Sequence, residues 1–156
     1  VEPGDFPVSA NIPPLKPGQY AAHTRNCNSH SIGIALDAMA GAKERPFDAG
    51  SNPITQKQLE ALCDLAASLC GQYGIEITPQ TVLTHAEVEP TLGIKQKNKW
   101  DVTWIPGMQS PGNPVFVGDR IRDMIRSAQM PASTPSDDIS SSFFAAIRSA
   151  FRKGKS

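Results

Sequence analysis

The spacing of apolar residues predicts one long amphipathic helix near the middle of the chain, over residues 55–73. Apolar side chains recur there at every third or fourth position and would form a single stripe along the helix. Thr55 and Gln58 fit a capping box, in which a hydroxyl and an amide satisfy free backbone donors of the first turn. Gly71 and Gly74 indicate the end of the helix, because glycine readily adopts the left-handed backbone of a helix C-terminus.

Two short apolar segments flank this helix and predict strands. The first covers residues 31–37 and the second covers residues 80–85. A strand, a long amphipathic helix and a second strand are typical of a mostly parallel sheet covered by helices. The sequence therefore predicts an α/β fold in which helices flank a central mixed β-sheet.

The C-terminal part of the chain predicts two further helices. One covers residues 119–129, and the other begins at Ser136 after a linker rich in proline and serine. We expect residues 1–117 to form the main domain and residues 118–156 to form a helical tail. The last helix carries an apolar stripe and ends in basic residues, which suits docking on a protein, self-association or an anionic membrane surface. We favour docking or self-association, because protein usually covers such a stripe.

Composition narrows the possible classes of function. The chain has 15 Lys plus Arg and 15 Asp plus Glu, and this balance argues against nucleic-acid binding, which needs a basic excess. No stretch approaches the roughly 20 apolar residues of a membrane-spanning helix. Nine of the 14 prolines lie in residues 1–20 and 86–117 and predict long extended loops there. We expect Cys27, Cys63 and Cys70 to be free thiols in a reducing compartment, with two of them facing the core.

A histidine at the end of the second predicted strand is the main candidate for chemistry. The chain has three histidines, His23, His30 and His85, and none lies in a helical metal-binding pair. His85 would close the strand and Asp101 would lie on the following loop, so the two could offer a nitrogen and an oxygen to zinc. By pattern alone, a hydrogen-bonded edge histidine and a solvated aspartate are the favoured interpretation.

Four blocks in order along the chain resemble type 2 N-acetylmuramoyl-L-alanine amidases, the zinc peptidoglycan amidases related in fold to phage amidases and peptidoglycan recognition proteins. The blocks are Ala22-His23-Thr24 with Asn28, Ser31-Ile32-Gly33-Ile34, Thr55-x-x-Gln58, and Thr84-His85-Ala86-Glu87-Val88 followed by Lys99-Trp100-Asp101. The resemblance extends over about residues 4–108. With a Gly-Ile-Lys-Gln segment ending at Gln96, the chain is most similar to phage and prophage members.

The resemblance implies a zinc hydrolase that acts at the bacterial cell wall and cleaves the amide bond between N-acetylmuramic acid and L-alanine in peptidoglycan. His85 and Asp101 would be zinc ligands. Lys99 would be the catalytic cation that stabilises the oxyanion, and it would point to the same side of an extended backbone as Asp101. His23 would lie on the rim of the substrate groove, and Glu87 would support the site or carry a charge at the sheet edge.

The chain departs from the family pattern at its beginning. Family members carry a first zinc histidine and a tyrosine or glutamate on two N-terminal strands, and no residue before His23 matches either one. We therefore expect the chain to begin inside the domain, with the third ligand on a removed piece or another chain. The alternative is a catalytically inactive module of the same fold, which binds peptidoglycan or serves as an interaction subunit of a phage particle.

Overall fold

Helices joined by long loops make up the part of the chain that the structure describes, which is residues 7–130 of a computed structural model. Three α-helices lie in this range: α1 covers Gln56–Tyr73, α2 covers Val88–Leu92 and α3 covers Pro114–Gln129. Two 3-10 turns, Val8–Asn11 and His85–Glu87, complete the regular structure of these residues. None of the described helices is long and apolar enough to cross a bilayer.

Helix α1 confirms the prediction for the middle of the chain. The backbone N–H of Thr55 donates to Oε1 of Gln58 at 3.0 Å, and the N–H of Gln58 donates to the Thr55 hydroxyl at 3.2 Å. These two bonds are the predicted capping box. Gly74 ends the helix with a φ of 64°, whereas Gly71 lies inside its last turn.

The core is the contact between α1 and α3. Its buried members lie on the apolar stripe of α1, on the facing side of α3 and in the adjoining loops: Ile54, Leu59, Cys63, Ala66, Ala67, Cys70, Ile77, Ile105, Val117, Ile121 and Ile125. Cys63 and Cys70 are buried free thiols, as the sequence predicts, and Cys27 is a partly exposed one. Burial, with a smaller contribution from Asp64, raises the pKa of Cys63 to about 11.

Helix α3 begins five residues before the predicted helix over residues 119–129. The Asn113 side chain accepts hydrogen bonds from the backbone of Val115 at 3.0 Å and Phe116 at 3.3 Å. Pro114 occupies the first turn, where its missing N–H costs nothing. Asparagine followed by proline is therefore the start signal of this helix, and the prediction of a loop through residue 117 missed it.

The predicted α/β fold with a central mixed β-sheet is wrong for residues 7–130. This range contains no β-strand, and its one antiparallel bridge joins Lys43 to Asp48. Residues 31–36, in the first predicted strand, have no regular secondary structure and no partner strand within the described range. A short apolar segment forms a strand only when a second segment satisfies its backbone groups, and periodicity does not report that partner.

Residues 80–85, the second predicted strand, form no strand: the chain turns at residues 80–82, and His85 begins a 3-10 turn. The backbone N–H groups of Thr81 and Val82 donate to the Thr78 carbonyl at 3.2 and 3.0 Å. The Thr81 hydroxyl donates to the carbonyl of Glu76. Threonine side chains thus satisfy backbone groups locally, in competition with the long-range pairing that a strand needs. The predicted linker and last helix, with their docking surface, lie outside the described residues.

Candidate active site

His85, Lys99 and Asp101 come together at one place on the surface. The Nδ1 atom of His85 lies 3.0 Å from Oδ2 of Asp101, and Nζ of Lys99 lies 3.8 Å from the same oxygen. His85 is the first residue of a 3-10 turn rather than the last residue of a strand. The structure therefore brings together the three residues for which the resemblance implies zinc binding and catalysis.

A buried ion pair positions the turn that carries His85. The Glu87 carboxylate accepts a hydrogen bond from the backbone N–H of Thr84 at 2.8 Å, which closes the turn. The same carboxylate lies 2.7 Å from a guanidinium nitrogen of Arg122 on α3, and the two side chains are 0% and 1% exposed. Arg122 also donates to the Val82 carbonyl at 2.8 Å, so α3 holds both ends of the segment.

The Glu87 carboxylate fills the space that a side chain at position 118 would need, and Gly118 has none. A Cβ atom on residue 118 would lie 1.9 Å from Oε2 of Glu87, which is far inside van der Waals contact. Only glycine lets α3 approach the turn this closely. Glu87 is therefore a buried partner of α3; of the two roles expected for it, the charge at a sheet edge is wrong, and its contacts to the His85 turn agree with support of the site.

Gln96 is a site residue that the sequence analysis missed. Its side chain is 3% exposed, and its Oε1 lies 3.1 Å from Nε2 of His85. Its Nε2 donates to the carbonyl of Arg25 at 2.9 Å, and its backbone N–H donates to the Glu89 carboxylate at 2.9 Å. Gln96 ends the Gly-Ile-Lys-Gln segment, which indicates similarity to phage and prophage members but no role for the glutamine.

His23 lines the same cavity as His85. Its ring nitrogens lie 2.9 Å from the Thr24 hydroxyl and 3.0 Å from the Ser31 hydroxyl. A Cβ on Gly33 would lie 2.6 Å from the His23 ring, so the loop backbone packs directly against it. Burial lowers the pKa of His23, and the nearby His85 lowers it further.

A cavity of about 310 Å³ lies between these groups. Its lining includes His23, Arg25, His85, Lys97 and Lys99. The volume is at the lower end of the roughly 300–1,000 Å³ usual for small-ligand pockets. Three of these five side chains are cationic, so the cavity suits a ligand with carboxylate groups.

Comparison with known proteins decides the family. A family model described as N-acetylmuramoyl-L-alanine amidase matches residues 13–111, which is well over half of the 156 residues. The chain belongs to this family. The match confirms the resemblance and includes the whole cavity lining, and family membership supports peptidoglycan amidase activity with peptidoglycan as the substrate. No curated protein and no solved structure matched the chain.

The donor atoms of this chain fit part of a zinc site. An imidazole nitrogen and a carboxylate oxygen are both zinc ligands, and His85 and Asp101 present them side by side. Among residues 7–130, however, no group of three His, Cys, Asp or Glu side chains is arranged to hold a metal ion. Glu87 is paired with Arg122, and both ring nitrogens of His23 face hydroxyl groups. Within residues 7–130, His85 and Asp101 are thus the two adjacent side chains of a type that could bind zinc.

Proposed function

We propose that this amidase hydrolyses the amide bond between N-acetylmuramic acid and L-alanine in peptidoglycan, with His85 and Asp101 as two ligands of a zinc ion. The observation that carries the proposal is the meeting of His85, Asp101 and Lys99, with 3.0 and 3.8 Å between their polar atoms. Zinc, when bound, would polarise the scissile carbonyl and lower the pKa of a water molecule.

Lys99 is the proposed oxyanion-stabilising group. Its ammonium group is beside the Asp101 carboxylate, and its side chain lines the cavity. A fixed cation acts most strongly on the charge that develops as the carbonyl becomes tetrahedral. His23 also lines the cavity, and both of its ring nitrogens face hydroxyl groups, so its proposed role is to contact the substrate.

A complete zinc site requires a third protein ligand from outside residues 7–130. Catalytic zinc sites commonly use three protein ligands and leave a fourth position for water or substrate. The described residues offer two ligands. The similarity to phage and prophage members suggests a role in cell-wall lysis or remodelling.

The second candidate function is peptidoglycan binding without cleavage. The incomplete donor set favours this candidate, and so does the position of the Asp101 carboxylate, which already lies beside His85 and Lys99 within the protein. The cationic cavity would still attract a stem peptide that carries carboxylates. Zinc content and hydrolysis separate the two candidates.

The test uses the full chain, purified and loaded with zinc, and measures bound zinc and release of L-alanyl peptides from muropeptides. His85→Ala and Asp101→Ala should each lower both quantities. His30→Ala, at an exposed position outside the cavity lining, is the matched control and should change neither. If both site variants keep the zinc content and the hydrolysis rate of the wild type, the proposed enzyme function is wrong. A wild-type chain that binds muropeptide without zinc or cleavage would establish the binding module.

A further inference from the structure

Gln96 connects the cavity wall to His85. It is one of the few buried polar side chains in the described range, and its amide hydrogen-bonds to groups from two distant parts of the chain. Arg25, whose carbonyl accepts from the amide nitrogen, is 71 positions away in sequence. The bond between the Gln96 backbone and Glu89 fixes the base of the side chain.

The hydrogen bonds determine which way the Gln96 amide points. Its Nε2 lies 2.9 Å from the Arg25 carbonyl and 3.3 Å from the Ile94 carbonyl. Both of these oxygens can only accept, so the amide NH₂ group must face them. Rotating the amide by a half-turn would place its oxygen against both carbonyl oxygens, an unfavourable contact between two acceptors.

The orientation of the amide determines where the His85 ring carries a hydrogen. The Gln96 Oε1 atom has no hydrogen to donate, so the His85 Nε2 atom, at 3.1 Å, must donate to it. The other ring nitrogen, Nδ1, faces Asp101 at 3.0 Å. A histidine that binds a metal through one nitrogen commonly donates a hydrogen bond through the other.

We propose that Gln96 is a positioning residue for His85. It keeps a hydrogen on Nε2, holds the plane of the ring, and so reserves Nδ1, beside Asp101, for the zinc ion. The part of this inference that concerns zinc rests on the proposed function. The part that concerns the ring rests only on hydrogen bonds within the protein.

The direct test detects hydrogens on the ring nitrogens by NMR, using the full chain labelled with ¹⁵N-histidine. The three histidines are assigned from variants that lack each one in turn. In the wild type, His85 should show a slowly exchanging hydrogen on Nε2, both without metal and with zinc. A His85 ring that carries a hydrogen only on Nδ1 would overturn the proposal.

Gln96→Met removes the acceptor and keeps a side chain of similar length. The protected Nε2 hydrogen of His85 should disappear, and the affinity for zinc, measured against a chromophoric chelator, should fall about 10–100-fold. Thr103→Val is the matched control, because it removes another buried hydrogen bond, 2.8 Å long, to the carbonyl of Trp100. This variant should keep the His85 signal and a zinc affinity within about 2-fold of the wild type.

A folded Gln96→Met variant that keeps the Nε2 signal at full strength would overturn the proposal. If that variant does not fold, Gln96→Glu provides the decision, because it retains an acceptor oxygen toward His85. The signal should persist in Gln96→Glu, and its loss would count against the proposal. If the wild-type chain binds no zinc, the proposed zinc site is wrong. The metal-free spectra would still show whether Gln96 positions the His85 ring.

Discussion

Glu87 and Arg122 form an ion pair 2.7 Å long in the interior, between the turn that begins with His85 and helix α3. Neither side chain reaches solvent, and the two residues are 35 positions apart in sequence. The pair therefore anchors one of the proposed zinc ligands to the part of α3 that packs on α1. Stability and activity should both depend on it.

Replacing Arg122 by methionine should strongly destabilise the protein. The variant leaves the Glu87 carboxylate buried without a counter-charge, and breaking a buried pair in this way costs about 3–5 kcal/mol. Urea denaturation measures the free energy of unfolding. Asp123→Asn on the same helix is the control, because its ion pair with Arg126 is largely exposed and should contribute about 1 kcal/mol or less. Equal losses in the two variants would contradict a structural role for the buried pair.

Alanine at Gly118 should push the His85 turn away from α3. The new Cβ would overlap the Glu87 carboxylate, and overpacking of this kind costs about 1–3 kcal/mol. The free energy of unfolding and the hydrolysis rate should both fall. Gly71→Ala in α1 is the opposite case, since no atom lies within 4 Å of its added Cβ. The free energy of unfolding of that variant should rise by about 0.5–1 kcal/mol. A fall would show that the space around the added Cβ does not determine the effect of alanine on stability.

The pH dependence of stability should contain a contribution from His23. Burial first, and His85 second, lower the pKa of His23, so the unfolded chain takes up a proton at a higher pH than the folded chain does. Stability is therefore lost as the pH falls below the unfolded value of about 6.5 and toward the lowered folded value. His23→Gln removes this term, and its unfolding free energy should fall less than that of the wild type between pH 7 and pH 5. Parallel curves would contradict the prediction.

Helix α1 could be predicted from the sequence because its signals are local. The apolar stripe and the Thr55–Gln58 capping box lie within the helix and its first turn. The two predicted strands failed for the opposite reason, since a strand depends on a partner that its own residues do not specify. Over residues 80–85 the local bonds of Thr81 prevailed over the apolar pattern.

The candidate site also contains residues that the sequence indicated and residues that it did not. The resemblance pointed to His85, Lys99 and Asp101, and the structure brings these three side chains together. Gln96 and Arg122 were missed, because their roles depend on partners 71 and 35 positions away and on complete burial. Sequence patterns report neither of these properties, so the residues that support the site can be recognised only from the structure.

Lys99 and Lys97 offer a direct comparison within the cavity. Both side chains line it, but only Lys99 is paired with the Asp101 carboxylate. If Lys99 stabilises the oxyanion, Lys99→Gln should lower kcat by about 10²–10³-fold with little change in KM, because the interaction exists mainly in the transition state. Lys97→Gln should raise KM a few-fold and leave kcat unchanged, because a cation at that position attracts an anionic substrate without contacting the reacting atoms.

Steady-state hydrolysis of a defined muropeptide at low and high salt measures both constants, and added salt should reduce the effect of Lys97→Gln. Similar losses of kcat in the two variants would mean that the positive charge of the cavity, rather than the position of Lys99, supports catalysis.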